Sequence, residues 1–371
     1  MSSVTAKPTA LTFGSFHFAP DVSESQEVTQ AEFFDSVRRS LGGIEGVSAV
    51  DIDIDNVLDE SPVKLDPLAE DPGAAYVGPH WGFANINFDL TIPVSLQREI
   101  DKFARYENLS EHFCVQLAYG WQVPVSCVEV VSDSELDPTT GARVVYLYLK
   151  REVERSAERL TFACIPPIFT HAAFFLFPSD KSAGDQLFWR KSYTRPAYHR
   201  FEYYFNASEL RSPARPFFFE LQSEVDLYFR SKDNARGELN AWFAIQESVD
   251  DLTDPGNSQR RRFTPLRGIR RGARIRETAI SLTRFAAQRQ LARSQLERQA
   301  HSTYAGGTSH FARELIEDEL DDYPDFPIEQ FSQLVQMLES GRVVEVQIIV
   351  ALVASLVGAA IGAGATLLAA G

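Results

Sequence analysis

The sequence is poor in cysteine, lysine and methionine. Only three cysteines (Cys114, Cys127 and Cys164) occur in 371 residues, and none belongs to a Cys-x-x-Cys pair. This scarcity excludes a disulfide-stabilised scaffold and indicates a reducing compartment. Because only seven lysines are present, the basic residues are mostly arginine, and only two methionines occur. This residue usage is compatible with a GC-rich bacterial or phage genome.

Linear motifs of common cofactor and catalytic sites are also missing. Before the C-terminal apolar run there is no phosphate-binding Gly-Lys-Ser/Thr, no dinucleotide Gly-x-Gly-x-x-Gly and no Gly-x-Ser-x-Gly elbow. The histidines are scattered, and His112 with Cys114 two residues later is weak support for a zinc site. We therefore predict no cofactor and no metal, and no catalytic residue can be identified from the sequence. The missing motifs argue weakly against an enzyme. An enzyme without a linear motif stays an alternative, because catalytic groups need only be adjacent in space.

An excess of basic charge is absent as well. The chain has 36 basic and 51 acidic residues, a formal net charge of −15, which argues against a general nucleic-acid coat.

At the N-terminus, the apolar run around Leu11 and Phe13 is too short and too interrupted for a signal-peptide core. We therefore expect that no export signal is encoded there.

The C-terminus carries a long uncharged run. Ile348 to Gly371 contains no charged residue, and its only polar side chains are Ser355 and Thr366. As a helix this run would extend about 36 Å, which exceeds the roughly 30 Å of a hydrocarbon core. Residues 342–371 therefore predict a transmembrane tail anchor, with the preceding chain at the cytoplasmic face of a membrane. Because half of the run is Ala or Gly, a buried apolar tail or a fusion-like segment is the alternative.

Small residues recur every four positions within this run. They predict a smooth helix face that supports close helix packing and a homo-oligomer, unless the spacing arises by chance from an Ala/Gly-rich composition. The predicted packing positions are Ala354, Gly358, Gly362 and Thr366.

The rest of the chain predicts an α+β fold with a large antiparallel, β-rich domain. Residues 1–80 indicate a small strand-helix-strand region with an acidic loop, and 81–250 indicate the β-rich core domain. Within it, alternation of apolar residues predicts strands at 143–150, at 217–230 and near 239–245. Residues 251–341 indicate an Arg-rich and then acidic helical region before the anchor.

Three aspartates alternate with isoleucines in the first region. Asp51, Asp53 and Asp55 would lie on one strand face, where they could collect a hard cation. The positions that an EF-hand loop requires for Gly and Glu are filled by Asn56 and Pro62. The pattern therefore favours a solvated strand face.

An arginine-rich segment is the sharpest feature outside the tail. Gln259 to Ala300 has twelve arginines, opposed only by Glu277 and Glu297. Guanidinium groups bind phosphate bidentately, so the segment predicts an anionic-group site for lipid headgroups or, less favoured, nucleic acid. Pairing with the acidic stretch after Arg313 and with the acidic N-terminal loop, within or between subunits, is the alternative, and it is favoured over either ligand. The candidate residues are Arg260, Arg261, Arg262, Arg270, Arg271 and Arg274.

Together these patterns predict a tail-anchored membrane protein whose β-rich domain binds an unidentified protein or ligand. Membrane lipid and a second copy of the chain are further expected partners, and nucleic acid is not. The alternatives are a membrane effector whose Gly/Ala-rich tail oligomerises and permeabilises the bilayer, and an enzyme.

Overall fold

The chain divides into two compact units. Unit 1 comprises Met1–Gly237 and Gln295–Tyr323, and unit 2 comprises Glu238–Ser294 and Pro324–Gly371. The computed structural model describes residues 8–21, 28–54, 62–63, 65–67, 75–77, 83–101, 110–131, 138–156, 158–170, 172–179, 187–195, 198–208, 210, 212–253, 265–306 and 326–340. The predicted four-part division of the chain stays a prediction.

Strands and helices are both abundant, which confirms the α+β class. The strands are β1 (Thr9–Pro20), β2 (Val47–Ile54), β3 (Leu65–Pro67), β4 (Ala75–Val77), β5 (Ala84–Thr91), β6 (His112–Tyr119), β7 (Val125–Val131), β8 (Leu160–Phe169), β9 (Ala172–Ser179), β10 (Phe188–Arg195) and β11 (Tyr198–Asn206). The helices are α1 (Gln30–Gly43), α2 (Val94–Ile100), α3 (Pro138–Arg155), α4 (Ala214–Thr253), α5 (Pro265–Gly306) and α6 (328–340).

One large sheet organises unit 1. Its strand order is β10-β11-β9-β1-β7-β6-β5-β2, and β8 also pairs with β1. All neighbours run antiparallel except β9 and β11, which are parallel. The sheet is therefore mixed rather than purely antiparallel as predicted. A separate two-stranded sheet joins β3 and β4.

The predicted strand-helix-strand opening is confirmed. Thr29 caps α1 through a capping box, in which its side chain accepts from the Glu32 amide and Glu32 reaches back to the Thr29 amide. Phe33, Phe34 and Val37 recur at helical spacing and are buried against the sheet.

Helix α3 occupies the segment that was predicted to be a strand at 143–150, so that prediction is wrong. The buried residues Val144, Val145, Tyr148 and Leu149 fit the helical period, which a short apolar run does not distinguish from a strand. Gly141 lets the helix lie close to the sheet, because an added Cβ would come within 2.9 Å of Val130 Cγ2.

The predicted strands at 217–230 and 239–245 are also wrong, since both lie within the 40-residue helix α4. Apolar residues at every second position suggested strands. The buried positions Phe217, Phe218, Leu221 and Val225 instead follow a spacing of three and four residues. In unit 1 they pack against the sheet in a core that also contains Leu296 of α5.

Unit 2 is helical in its described part. Trp242 and Ile245 of α4 pack with Leu282 and Phe285 of α5 and with Phe326. A second cluster joins Val249 and Leu252 to Ile275 and to Val335 of α6. Helix α6 follows Pro327, within the region 251–341 that the sequence predicted to be helical.

The predicted membrane attachment is contradicted. Among the described residues, no helix combines the length and the apolar composition needed to cross a bilayer. Helices α4 and α5 are long enough but carry many charged residues. The predictions of a transmembrane helix, a tail anchor and a membrane location are therefore corrected. The packing positions predicted for them, Ala354, Gly358, Gly362 and Thr366, lie outside the described residues.

Candidate functional site

The predicted arginine site is described only in part. Arg260, Arg261 and Arg262 lie outside the described residues, and the side chains of Arg270 and Arg271 do too, although both residues belong to α5. Arg274 is exposed on α5. The anionic-group site therefore stays a prediction.

The predicted aspartate face lies at the edge of the large sheet. Asp51 and Asp53 alternate on β2 with Ile52 and Ile54, and both carboxylates are exposed. Asp55 lies outside the described residues. Within the described ranges, no group of three or more His, Cys, Asp or Glu side chains could hold a metal ion.

A row of facing residues runs from this edge into the protein core. Asp51 of β2 lies opposite Asn87 of β5, Asn87 lies opposite Gln116 of β6, and Gln116 lies opposite Cys127 of β7. Cys127 in turn faces Phe13 of β1, which is fully buried. Because directly opposed residues point to the same side of a sheet, all five side chains lie on one face. The row changes from exposed carboxylate through two amides to buried thiol and phenyl ring.

The start of α4 lies over this row. Arg215 forms an ion pair with Asp51 at 3.7 Å, and its guanidinium carbon lies 5.7 Å from the ring centre of Phe219. Two turns after Arg215, Gln222 accepts a hydrogen bond of 3.2 Å from Nε1 of Trp121. We call Asp51, Asn87, Gln116, Arg215 and Gln222 the polar strip.

Three amide groups of the polar strip carry buried atoms with no hydrogen-bond partner among the described residues. They are Nδ2 of Asn87, Oε1 of Gln116 and Nε2 of Gln222. Gln116 and Gln222 are each only 6% exposed. An unpaired buried polar group costs about 1–3 kcal/mol, so such groups rarely occur without a reason. These three amide atoms are hydrogen-bonding groups that the described residues leave unused, as are buried atoms elsewhere in the protein, for example Nε2 of His17 and the hydroxyl of Ser40.

Aromatic rings border the polar strip. Phe83 is 50% exposed and contacts Trp121 edge-on, with ring centres 5.6 Å apart. Phe219 is 42% exposed. Trp121 contacts Phe83 and donates a hydrogen bond to Gln222, which lies one turn after Phe219 on α4. Trp121 therefore connects the ring of Phe83 to the part of α4 that carries Phe219. The strip thus combines hydrogen-bonding amides with exposed ring surface.

The thiols beside the polar strip are poor nucleophiles. Burial is the main cause that raises the pKa of Cys114, whose Sγ donates to Asp89 Oδ1 at 3.1 Å. Burial also raises the pKa of Cys127. Since the thiolate is the reactive form, neither group suits covalent catalysis at neutral pH. His112 hydrogen-bonds Thr91 through Nδ1, so it does not activate Cys114 through that atom.

The carboxylates near the polar strip also bear on the charge of a ligand. Burial raises the pKa of Glu129, and the charge of Asp89 raises it further. On α4, burial raises the pKa of Asp226 to about 6, although Arg230 and the Val123 amide oppose this shift. An anionic ligand would lie close to these carboxyl groups, and a cationic ligand would lie close to the Arg215 guanidinium, so neither charge is favoured.

Sequence reasoning located only the edge of the site. It identified Asp51 and Asp53, and it missed the amides, since Asn87 and Gln116 belong to ordinary alternating strands. Phe219 and Gln222 were missed because 217–230 was predicted to be a strand, and no sequence pattern singled out Arg215. Comparison of the chain with protein-family models, with curated proteins and with solved structures gives no match.

Proposed function

We propose that unit 1 is a binding domain for a small, uncharged, hydroxyl-rich molecule, held at the polar strip. The observation that carries the proposal is that Asn87 Nδ2 and Gln116 Oε1, a donor and an acceptor on facing residues, both lack a hydrogen-bond partner among the described residues. Because both atoms are buried, binding requires these two side chains to rotate into contact with the ligand. A hydroxyl group both donates and accepts, so it satisfies the two amides at once.

The surrounding residues support the same ligand class. Phe219 and Phe83 are partly exposed rings against which the C–H surface of a sugar or polyol can pack. Gln222 Nε2 adds a further donor near Trp121. Because the charge of Asp51 is compensated by Arg215, the strip favours a neutral molecule over an ion.

The test is calorimetric titration of the full chain with a panel of neutral monosaccharides and cyclic polyols. Glucose 6-phosphate and glucosamine serve as the anionic and cationic comparisons. We expect a neutral member of the panel to bind with a dissociation constant of about 1 mM or below. Neither charged sugar should bind more tightly than its neutral parent.

Variants separate the polar strip from general surface binding. Gln116→Leu removes the acceptor while keeping the volume, and it should weaken binding at least about tenfold. Gln295→Leu alters an exposed glutamine of α5 outside the strip and should leave binding unchanged. Absence of binding by every neutral probe, or equal affinity in the two variants, would refute the proposal.

A further inference from the structure

Helix α5 carries a second, exposed face in unit 2. Its buried face presents Ile275, Leu282 and Phe285 to the helical cores. Away from these residues, Ile280 is 52% exposed and Leu291 is 56% exposed. Helix α5 therefore has apolar side chains on a second side, which does not pack against the described cores of unit 2.

The exposed residues form a continuous stripe along the helix. Successive members are three or four residues apart, which places them on one side of an α-helix. We call this set the α5 stripe: Ala273, Arg276, Ile280, Arg284, Ala287 and Leu291, all exposed. The two alanines leave room for the backbone of another helix, with Ile280 and Leu291 as apolar contacts.

Charge identifies the kind of helix that fits. Among the described residues, no ion pair of Arg276 or Arg284 is found, and the two arginines flank Ile280 one turn before and one turn after it. Between residues 273 and 294 there are five arginines and one acidic residue, Glu277. A partner helix with carboxylates beside its apolar side chains complements this pattern, whereas a second copy would place arginine against arginine.

We infer that the α5 stripe docks an acidic amphipathic helix of a partner protein. The apolar contacts provide the buried surface, and Arg276 and Arg284 set specificity for acidic neighbours. This inference is independent of the ligand proposed for unit 1, because it uses other residues in another unit.

A fluorescent synthetic peptide tests the inference with the full chain. The probe is an amphipathic helix of about 21 residues with Leu at heptad a and d and Glu at e and g. We expect micromolar binding by fluorescence anisotropy that weakens in about 0.5 M NaCl. A peptide of the same design with Lys in place of Glu should not bind.

Matched charge reversals locate the contact. The double variant Arg276→Glu/Arg284→Glu and the single variant Ile280→Glu should each weaken binding at least about tenfold. Arg293→Glu makes the same charge change at an exposed residue on the opposite side of α5 and should have less than about a twofold effect. Circular dichroism confirms that each variant is folded.

Three outcomes would overturn the inference. The first is an equal loss of peptide binding in Arg293→Glu, which would show general charge attraction. The second is equal binding of the Lys peptide. The third is self-association of the chain that Ile280→Glu abolishes while peptide binding is absent, which would assign the stripe to a second copy.

Discussion

The two faces of the large sheet in unit 1 differ sharply, although they are built from the same strands. On one face, Ile52, Ile86 and Leu117 face one another across β2, β5 and β6 and belong to the apolar layer beneath α1 and α3. One residue earlier or later on each strand, Asp51, Asn87 and Gln116 form the polar row on the other face. At β2, β5 and β6 the first face is apolar and the second carries polar side chains, whereas at β1 and β9 the second face packs against apolar residues of α4. The proposed binding role of the polar row depends on this local contrast.

The largest difference between the faces is expected from removal of an aromatic ring. Phe16 is fully buried and contacts Phe162 and Tyr146 of α3, so Phe16→Ala should lower the free energy of unfolding by about 3–5 kcal/mol. The matched variant Phe83→Ala, at a half-exposed ring beside the polar strip, should cost less than about 1 kcal/mol. Urea unfolding followed by circular dichroism measures both. Similar losses in the two variants would contradict the proposed division of roles.

Two buried ionisable groups should give opposite pH dependences. Burial lowers the pKa of His17 to about 4; its ring lies beside Tyr119, which contacts Phe33 and Phe34 of α1. Between pH 4 and 6.5 the unfolded chain protonates His17 and the folded chain does not, so its contribution to stability rises with pH. Asp226 has a raised pKa of about 6, so the folded chain keeps a proton that the unfolded chain loses above pH 3.8. Its contribution falls with pH.

Because the pH dependences of His17 and Asp226 oppose each other in the wild-type protein, a variant of each residue is needed to measure them separately. Relative to wild type, His17→Asn should lose stability as pH rises from about 4 to 6, and Asp226→Asn should gain it, each by about 3 kcal/mol. Asparagine keeps a donor for the Ser15 carbonyl at position 17 and an acceptor for the Val123 amide at position 226. The measurement is the difference in unfolding free energy between variant and wild type across this range. Flat difference curves would show that neither group titrates as described.

A smaller effect is expected where α3 approaches the sheet. An added Cβ at Gly141 would lie 2.9 Å from Val130 Cγ2 and 3.0 Å from Phe113 Cε1. Gly141→Ala should therefore destabilise by about 1–3 kcal/mol, despite the helix propensity of alanine. Gly42→Ala in α1 is the control, since nothing lies within 4 Å of its added Cβ, and it should be neutral or stabilising. Thermal denaturation compares the two; a stable Gly141→Ala protein would mean that α3 shifts without cost.

The sequence predicted parts of the fold where one physical signal dominated. The first helix was predictable because a capping box and a helical apolar period agree, and β2 because aspartate and isoleucine alternate strictly. Helix α4 was not, since Phe217, Phe219 and Leu221 satisfy the strand period while Phe217, Phe218 and Leu221 satisfy the helix period. The polar strip was equally inaccessible, because strand pairing and the position of α4 bring Gln116 and Arg215 together from separate parts of the chain.

The smallest expected change in stability should give the clearest distinction between the faces. Gln116→Leu removes a buried carbonyl oxygen that has no described partner and replaces it with apolar surface of similar volume. Because the transfer of an unpaired polar group out of water is itself unfavourable, the variant should be neutral or gain up to about 1 kcal/mol. Leu117→Ala, one residue along the same strand but on the apolar face, should lose about 2–5 kcal/mol. Urea unfolding of both proteins measures the two changes in the free energy of unfolding. A clear loss in Gln116→Leu would mean that the oxygen already has a stabilising partner in the folded chain, and the polar row would then be structural rather than reserved for a ligand.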